Sequence, residues 1–422
     1  MKDIIRTLQL LRELRRGVRC HPEELRALQG KLLCRAIDHA CRRVPYYRRV
    51  WRDHGVAPGS VRTLDDLGCL PIITPDRIRT AVESGELVAD SADNDVDRFF
   101  STSGSSGRSL RIPRGAVESR NWRAAGIRMQ LEHGFRWWDT TLQFENAPGP
   151  VHFLQKLGVA PTTWIPQDLP LQDQLQYLVK AGADVIIGNT TILRRIGRYI
   201  EERRIQFAAP KVLFSMSEII DDDSFATIAS AFGVEPFDIY GMTEVGFIAW
   251  QCERRSSLHI NADMLVVEIL REDDIPARPG EIGRVVVTDL RGRTMPFLRY
   301  DTGDLALATE PCACGRTLPT MGQVEGRARD AIRLGDGRSL SQRKVMNHLA
   351  GTLRTGGYCL RQKSARRFLL EVTPEGFAPG INEKQVRNVL CSLLGDIDLV
   401  VDVRGPFPEG LKTYTVLGEC QS

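Results

Sequence analysis

Three short stretches carry side chains suited to phosphate and sugar chemistry. Residues 101–107, STSGSSG, supply the hydroxyls of Ser101, Thr102, Ser103, Ser105 and Ser106 together with Gly104 and Gly107. Such a loop after a strand can turn successive backbone N–H groups and hydroxyls toward a polyphosphate, with glycine permitting close approach. The same composition suits a solvated Gly/Ser linker, and the stretch lacks the Gly-x-x-x-x-Gly-Lys-Ser/Thr pattern. YGMTE, residues 240–244, falls where a strand runs into a loop, the end of an open α/β sheet at which ligands bind. There Glu244 could hold Mg2+ and Thr243 a phosphate, or the stretch is an ordinary strand-end turn. LRYDTGDLA, residues 298–306, sets Asp304 behind Thr-Gly, a carboxylate suited to two ribose hydroxyls, or else a polar hairpin turn.

A fourth constellation concerns metal. Cys312 and Cys314 lie beyond a β-rich run preceded by Cys252 and His259. A Cys3His set can close a tetrahedral, structural Zn2+ site with no open position. Free thiols are the alternative, because Cys-x-Cys is tighter than the usual spacing and the pairs lie about 50 residues apart. The remaining cysteines, Cys20, Cys34, Cys41, Cys69, Cys359, Cys391 and Cys420, are scattered singly, as thiols in a reducing compartment are.

The elements that must hold these residues follow from periodicity. The first 85 residues read as helical, broken at VPYY, GVAPGS and CLPIITPDR. Strand and helix then alternate: GADVIIGN, TILRRIGRYIEERRI, KVLFSMSE, DSFATIASAF and VEPFDIYGMTE, a layered α/β pattern. After about residue 260 the chain turns β-rich, with MLVVEIL and GRVVVTDL separated by a turn-forming segment. A composition break at GQVEGRARD precedes a tail read as a small α+β domain on a hinge. The fold class is therefore α/β: a large N-terminal domain of layered sheets and helices with a β-rich subdomain, and a small C-terminal α+β domain.

Composition limits the function. The 422 residues hold 57 Lys and Arg against 53 Asp and Glu, a net charge of +4, too small and dispersed to argue for nucleic acid. CRRVPYYRRVWR, residues 41–52, interleaves arginine with Tyr46, Tyr47 and Trp51 and reads as an amphipathic segment with a solvated basic side. No apolar run is long enough to span a bilayer, and the first residues read as a helix rather than a signal peptide, so a cytoplasmic enzyme is expected, with no membrane or nucleic-acid partner. His21, His133 and His152 are assigned no role.

Taken together, the Ser/Thr/Gly loop, YGMTE, RYDTGD and GRARD, with VPYYRRVWRDHGVAP, KLGVAPTTWIP, VLFSMSEII, LHINADMLVVEIL and CACGRTLPTMGQVEGRARD, resemble the adenylate-forming superfamily of acyl-CoA synthetases and adenylation domains, in its phenylacetate-CoA ligase branch. The resemblance implies an adenylation core over residues 1–326 (helical start 1–85, ATP- and acyl-binding parts 86–326), a hinge at 327–330 and a mobile lid at 331–422. By it, Ser101 to Gly107 would wrap the β- and γ-phosphates of ATP, Thr243 and Glu244 would contact phosphate and Mg2+, and Asp304 would hold the ribose. Tyr240, Gly241 and Met242 would lie against the adenine or the acyl group, Arg327 would bond ribose or phosphate, and Asp330 would be the pivot. Phe144, Trp164, Asn189, Met216 and Ser217 are candidates for the acyl pocket. The catalytic cation would be Lys412, in GPFPEGLKTYTV.

Three departures accompany the likeness. Arg108 and Ser109 stand where the family loop commonly has Lys-Pro, Leu411 intrudes before Lys412, and QFENAPGPVHF replaces a glycine-rich stretch bearing on the acyl pocket. The expected reaction is formation of an acyl-AMP, from a carboxylic acid that is aromatic, followed by transfer to CoA. Alternatives are a stand-alone adenylating enzyme that serves a separate carrier protein or an amine, and a non-catalytic nucleotide-binding homologue. A homodimer is compatible with each.

Overall fold

The computed structural model describes residues 2–57, 59–90, 96–101, 110–145, 153–405, 407 and 416–418. Helices α1 (Lys2–Gly17), α2 (Pro22–Arg43), α3 (Pro45–Asp53) and α4 (Pro75–Glu83) come first, then the hairpin β1 (Val96–Ser101) and β2 (Arg111–Gly115) and helix α5 (Ala116–Glu132). The alternating section gives β3 (Thr141–Phe144), α6 (Phe153–Lys156), β4 (Thr162–Ile165), α7 (Leu171–Ala181), β5 (Val185–Asn189), α8 (Thr190–Arg203), β6 (Val212–Met216), α9 (Asp222–Phe232) and β7 (Phe237–Met242). The β-rich run is β8 (Gly246–Gln251), β9 (Leu258–Ile260), β10 (Leu265–Leu270), β11 (Ile282–Asp289), β12 (Tyr300–Ala308) and β13 (Thr320–Arg327). The tail comprises β14 (Ile332–Arg333), β15 (Ser339–Leu340), α10 (Gln342–Leu349), β16 (Tyr358–Gln362), β17 (Arg367–Val372), α11 (Glu383–Leu394), β18 (Asp398–Val403) and β19 (Val416–Leu417). The order of strand and helix is the one the periodicity indicates. Among the described residues, no helix is long and apolar enough to cross a membrane.

The chain forms two compact units: Met1–Gly134 with Ile239–Gln323, and Phe135–Asp238 with Val324–Ser422. The first unit carries strands in the order β10-β11-β12-β13-β9-β8-β7 and the separate β1-β2 hairpin. Its α3 settles the basic aromatic segment: Tyr46, Tyr47, Val50 and Trp51 face the core, while Arg48 pairs with Asp90 and Arg49 with Glu86. The rings sit in the interior rather than on a nucleic-acid face, as the amphipathic reading requires.

A fully buried polar knot ties this unit. Arg128 of α5 donates to Asp263 Oδ2 at 2.7 Å, to the Leu14 carbonyl of α1 at 3.2 Å and to Asn261 Oδ1, which also accepts from Trp250 Nε1 at 2.9 Å. Arg128, Asn261 and Asp263 are wholly buried, so each charge survives there only because the other is present. One guanidinium thus joins helix α1, helix α5 and the corner between β9 and β10.

The second unit has parallel strands in the order β6-β5-β3-β4, whose core includes Leu142, Ile186, Leu193, Ile196, Leu213 and Phe232. The tail adds the sheet β18-β17-β16-β19 with its own core, including Val345, Leu349, Tyr358, Leu360, Phe368 and Leu390. Buried Asp221 links the two cores: it caps α9 by accepting from Ser224 N, accepts Ser224 Oγ at 2.7 Å, and accepts Thr355 Oγ1 from the tail at 2.8 Å. Arg343 of α10 donates to the Ile220 carbonyl at 2.6 Å.

Arg128→Met strands the Asp263 carboxylate and is expected to cost about 3–5 kcal/mol in urea unfolding. Adding Asp263→Leu should return more than half of that loss, and a double variant no better than the single one would remove the pair from its structural role.

Candidate functional site

The two strands that flank the Ser/Thr/Gly stretch in the sequence pair with each other. Strands β1 and β2 pair antiparallel, Ser101 opposite Arg111 and Phe100 opposite Ile112. Ser101 ends β1 and is exposed. Thr102, Ser103, Gly104, Ser105, Ser106 and Gly107, with Arg108 and Ser109, lie outside the described residues.

YGMTE and RYDTGD meet directly. Tyr240, 8% exposed, donates its hydroxyl to Asp304 Oδ2 at 2.7 Å, and Asp304 is 7% exposed. Asp304 N–H donates to Thr302 Oγ1 at 3.1 Å, and that hydroxyl donates to the Val285 carbonyl at 2.9 Å. Gly303, at φ +74°, lets β12 bend between the two side chains. Strands β7 and β8 form a hairpin with a register shift at Tyr240/Gly241, where a Cβ on Gly241 would stand 2.8 Å from the Gly246 carbonyl. Glycine at 241 is therefore a steric requirement of the bulge. Met242 pairs with Gly246, and Thr243 and Glu244 occupy the half-buried turn between the strands.

In the second unit the acyl-pocket candidates cluster at strand ends. Phe144, Asn189 and Met216 are the last residues of β3, β5 and β6, and Asn189 pairs with Met216 across the parallel ladder. Ligands of open α/β sheets bind at the carboxyl ends of parallel strands. Ser217 follows, exposed and at φ +71°. Asn189 Oδ1 caps α8 by accepting from Ile192 N–H at 2.7 Å, and its amide donates to Gln167 Oε1 at 3.3 Å. Gln167 in turn donates to the Phe144 carbonyl at 3.0 Å. Trp164 is the penultimate residue of β4, paired with Gln143. Phe144 is 2% exposed and belongs to the apolar core, with a ring carbon 3.1 Å from where a Cβ on Gly188 would lie. Gln167 and Glu218, whose carboxylate accepts from Thr191 N–H at 2.8 Å, are strand-end residues that the sequence pattern did not single out.

The hinge candidates are clasped rather than loose. Arg327 N–H donates to Gln342 Oε1 at 2.8 Å, while Gln342 Nε2 donates to the Val416 carbonyl at 2.7 Å. Gly326 has φ +117°, and a Cβ there would overlap the Gln342 carboxamide at 2.3 Å. Asp330 is 7% exposed, and burial pushes its carboxyl above the ordinary range against the pull of Arg329. Lys412 lies outside the described residues. Strand β19 follows it and pairs parallel with β16, Val416 beside Leu360.

The four metal-ligand candidates converge. One ligand atom each from Cys252, His259, Cys312 and Cys314 lies within 4.8 Å of all the others. Cys252 Sγ and Cys312 Sγ are 3.7 Å apart, and Cys314 Sγ is 3.3 Å from His259 Nε2. Two thiolates on one tetrahedral zinc, each with a bond of about 2.3 Å, stand roughly 3.8 Å apart. Burial, with Arg316 nearby, lowers His259 to about 4, so its ring is neutral and can act as a ligand. Burial pushes the Cys252 thiol up to about 12, the cost of a buried thiolate without a metal. The donor set thus fits zinc. His133 plays no such part: its nitrogens lie 2.7 and 2.8 Å from the carbonyls of Met129 and Gln251, and its ring packs on Trp250. His21 caps α2. His152 lies outside the described residues.

No family model matches the chain. Among curated proteins it is 28% identical over 330 residues to a phenylacetate-coenzyme A ligase of Thermus thermophilus, covering 74% of this chain and 72% of that protein. It is 26% identical over 373 residues to a phenylacetate-coenzyme A ligase of Aromatoleum evansii, covering 84% and 80%. Among solved structures, 2-hydroxyisobutyryl-CoA ligase in complex with R3-HIB-AMP aligns over 94% of this chain and 89% of its own, with TM-score 0.76 and 19% identity. The resemblance carried by the motifs is borne out: this chain has the fold of the adenylate-forming acyl-CoA ligases, and over most of its length it is similar in sequence to phenylacetate-CoA ligases.

Proposed function

We propose that this protein is an AMP-forming acid–thiol ligase that activates an aromatic carboxylic acid with ATP and transfers the acyl group to CoA. The observation that carries the proposal is the hydrogen bond between Tyr240 and Asp304, which joins the two nucleotide motifs into one buried pair. The curated relatives bear the name phenylacetate-coenzyme A ligase, which supports an aryl acid and CoA.

In the first half-reaction a carboxylate oxygen attacks the α-phosphorus of ATP, the bond to the bridging oxygen breaks, and pyrophosphate leaves. An anion approaching a polyphosphate requires positioning and cationic neutralisation more than proton transfer. Ser101 to Gly107 would present N–H and hydroxyl donors to the β- and γ-phosphates, and Thr243 would bond a phosphate. Asp304, oriented by Tyr240 and Thr302, would accept from the ribose, and Arg327 would bond ribose or phosphate. Glu244, a carboxylate on a half-buried turn, fits a hard cation, and Mg2+ held there would offset phosphate charge. Lys412 would stabilise the negative charge that gathers on the phosphate and carboxylate oxygens. In the second half-reaction a thiolate attacks the acyl carbonyl and the acyl–oxygen bond to AMP breaks. The lid, residues 331–422, would turn about Asp330 between these steps. The clasp of Gln342 on Arg327 must open for that turn to occur.

The acid would be held at the strand ends bearing Asn189, Met216 and Ser217, with Phe144 forming the apolar floor. An aryl group suits such a lining. Cys252, His259, Cys312 and Cys314 would close a structural Zn2+ site, with no position left for substrate.

Incubated with MgATP, CoA and a series of aryl and arylacetic acids, the protein should form AMP and one acyl-CoA, read by chromatography and mass spectrometry. Lys412→Ala should lower AMP formation by about 10²-fold or more. An unchanged rate would remove Lys412 from the reaction, and AMP formation without any acyl-CoA would remove CoA as the acceptor. Metal analysis of purified protein should find about one zinc per chain, lost in Cys314→Ser together with thermal stability; a ratio near zero would dismiss the cluster.

A further inference from the structure

Beside the Cys/His cluster of the first unit lies a nearly buried cation. Arg316 follows Cys314 by two residues in the segment between β12 and β13, and its side chain is 5% exposed. Nη1 donates to both carboxylate oxygens of Glu253, at 2.9 and 2.8 Å. Nε donates to Glu132 Oε2 and Nη2 to the Glu132 carbonyl, each at 3.2 Å. Glu253 is the residue after Cys252, and Glu132 is the last residue of α5. The guanidinium carbon also stands 5.5 Å from the centre of the Trp250 ring, which in turn lies 5.4 Å from the ring of His259. Burial by itself would lower this guanidinium, yet hydrogen bonds to Glu253 and to the Cys314 sulfur raise it above the ordinary range.

The segment that carries Arg316 is fastened independently of that side chain. Thr317 donates its N–H to the Val18 carbonyl at 2.9 Å and its hydroxyl to the Cys20 carbonyl at 2.6 Å. Arg19 donates to Glu132 at 3.0 Å. The turn between α1 and α2 therefore holds both the backbone next to Arg316 and the carboxylate that grips it. Shortening Arg316 leaves these bonds in place, so what it removes is the contact with the sulfur.

We infer that Arg316 is a positioning residue for the metal: gripped by Glu132 and Glu253, it hydrogen-bonds the Cys314 thiolate and sets how tightly the ligands hold zinc. The inference rests on the reading of Cys252, His259, Cys312 and Cys314 as a zinc site. Groups around a metal site that hydrogen-bond its ligands fix their orientation and tune the charge they donate. A planar guanidinium can serve two carboxylates and a sulfur at once, in directions fixed by its fork, which an ammonium cannot match.

The test is a competition titration of the full chain against a chromophoric zinc chelator, with the visible spectrum of the Co2+-substituted protein as a second readout. Arg316→Gln should weaken zinc binding about 10–100-fold. It should also move the thiolate-to-cobalt charge-transfer band to longer wavelength, because a sulfur relieved of its hydrogen bond gives up electron density more readily. Glu253→Gln breaks an ion pair but leaves the guanidinium on Glu132, so it should weaken zinc binding far less and leave the band in place. Arg316→Lys keeps the charge without the fork and carries the test if Arg316→Gln fails to fold, with an expected loss of about ten-fold. Equal losses in the Glu253 and Arg316 variants, or Arg316 variants within about two-fold of the parent with an unmoved band, would overturn the inference while leaving the zinc site standing. A parent protein that takes up no zinc would overturn both.

Discussion

A tyrosine hydroxyl and a carboxylate that leave water together must satisfy each other, and Tyr240 and Asp304 do so at 2.7 Å although 64 residues separate them. That bond fixes β7 relative to β12. It requires the bend at Gly303, the bulge at Gly241 and the tight return at Gly246, each at a point where a side chain would strain the backbone or strike its neighbour. The half-buried turn of Thr243 and Glu244 is presented as a consequence of this fastening. With the hydroxyl removed, the buried carboxylate would lose a charge-assisted hydrogen bond, a stronger contact than one between neutral groups.

Each compact unit is further organised by a buried polar centre of the same logic. In the first, Arg128 gathers α1, α5 and the β9–β10 corner through Asp263 and Asn261. In the second, Asp221 gathers α9 and the tail through Ser224 and Thr355. Hydrophobic burial supplies the bulk of the driving force for such units but is not directional. Hydrogen-bonded groups that tolerate no substitute supply register, which a site assembled from distant segments needs.

The fold was legible wherever hydrophobic period carried it. The parallel strands are short β-branched runs and the intervening helices keep an apolar stripe, so GADVIIGN, KVLFSMSE and the helices between them read directly. The nucleotide motifs and the Cys/His set were legible from residue type and spacing. What stayed hidden were single polar residues whose role depends on distant partners. Arg128 lies on α5, and its partners Asp263 and Asn261 stand 135 and 133 residues away in the sequence. Gln167, Glu218 and Gln342 act through their amide and carboxylate groups on backbone atoms from elsewhere in the fold. Trp122 belongs to none of the quoted motifs, and Gly246, the glycine it packs against, lies on another element. Asp330, expected as the pivot, is 7% exposed, and Phe144, a candidate for the acyl pocket, is 2% exposed and belongs to the apolar core.

Acid-dependent exchange of labelled pyrophosphate into ATP isolates the first half-reaction, because it needs neither CoA nor any other acceptor. With Mg2+ and a panel of aryl, arylacetic, fatty and amino acids, the account predicts exchange that depends on one aromatic acid. Silence across the panel from a protein shown to bind ATP would contradict adenylation and leave a nucleotide-binding protein without this chemistry.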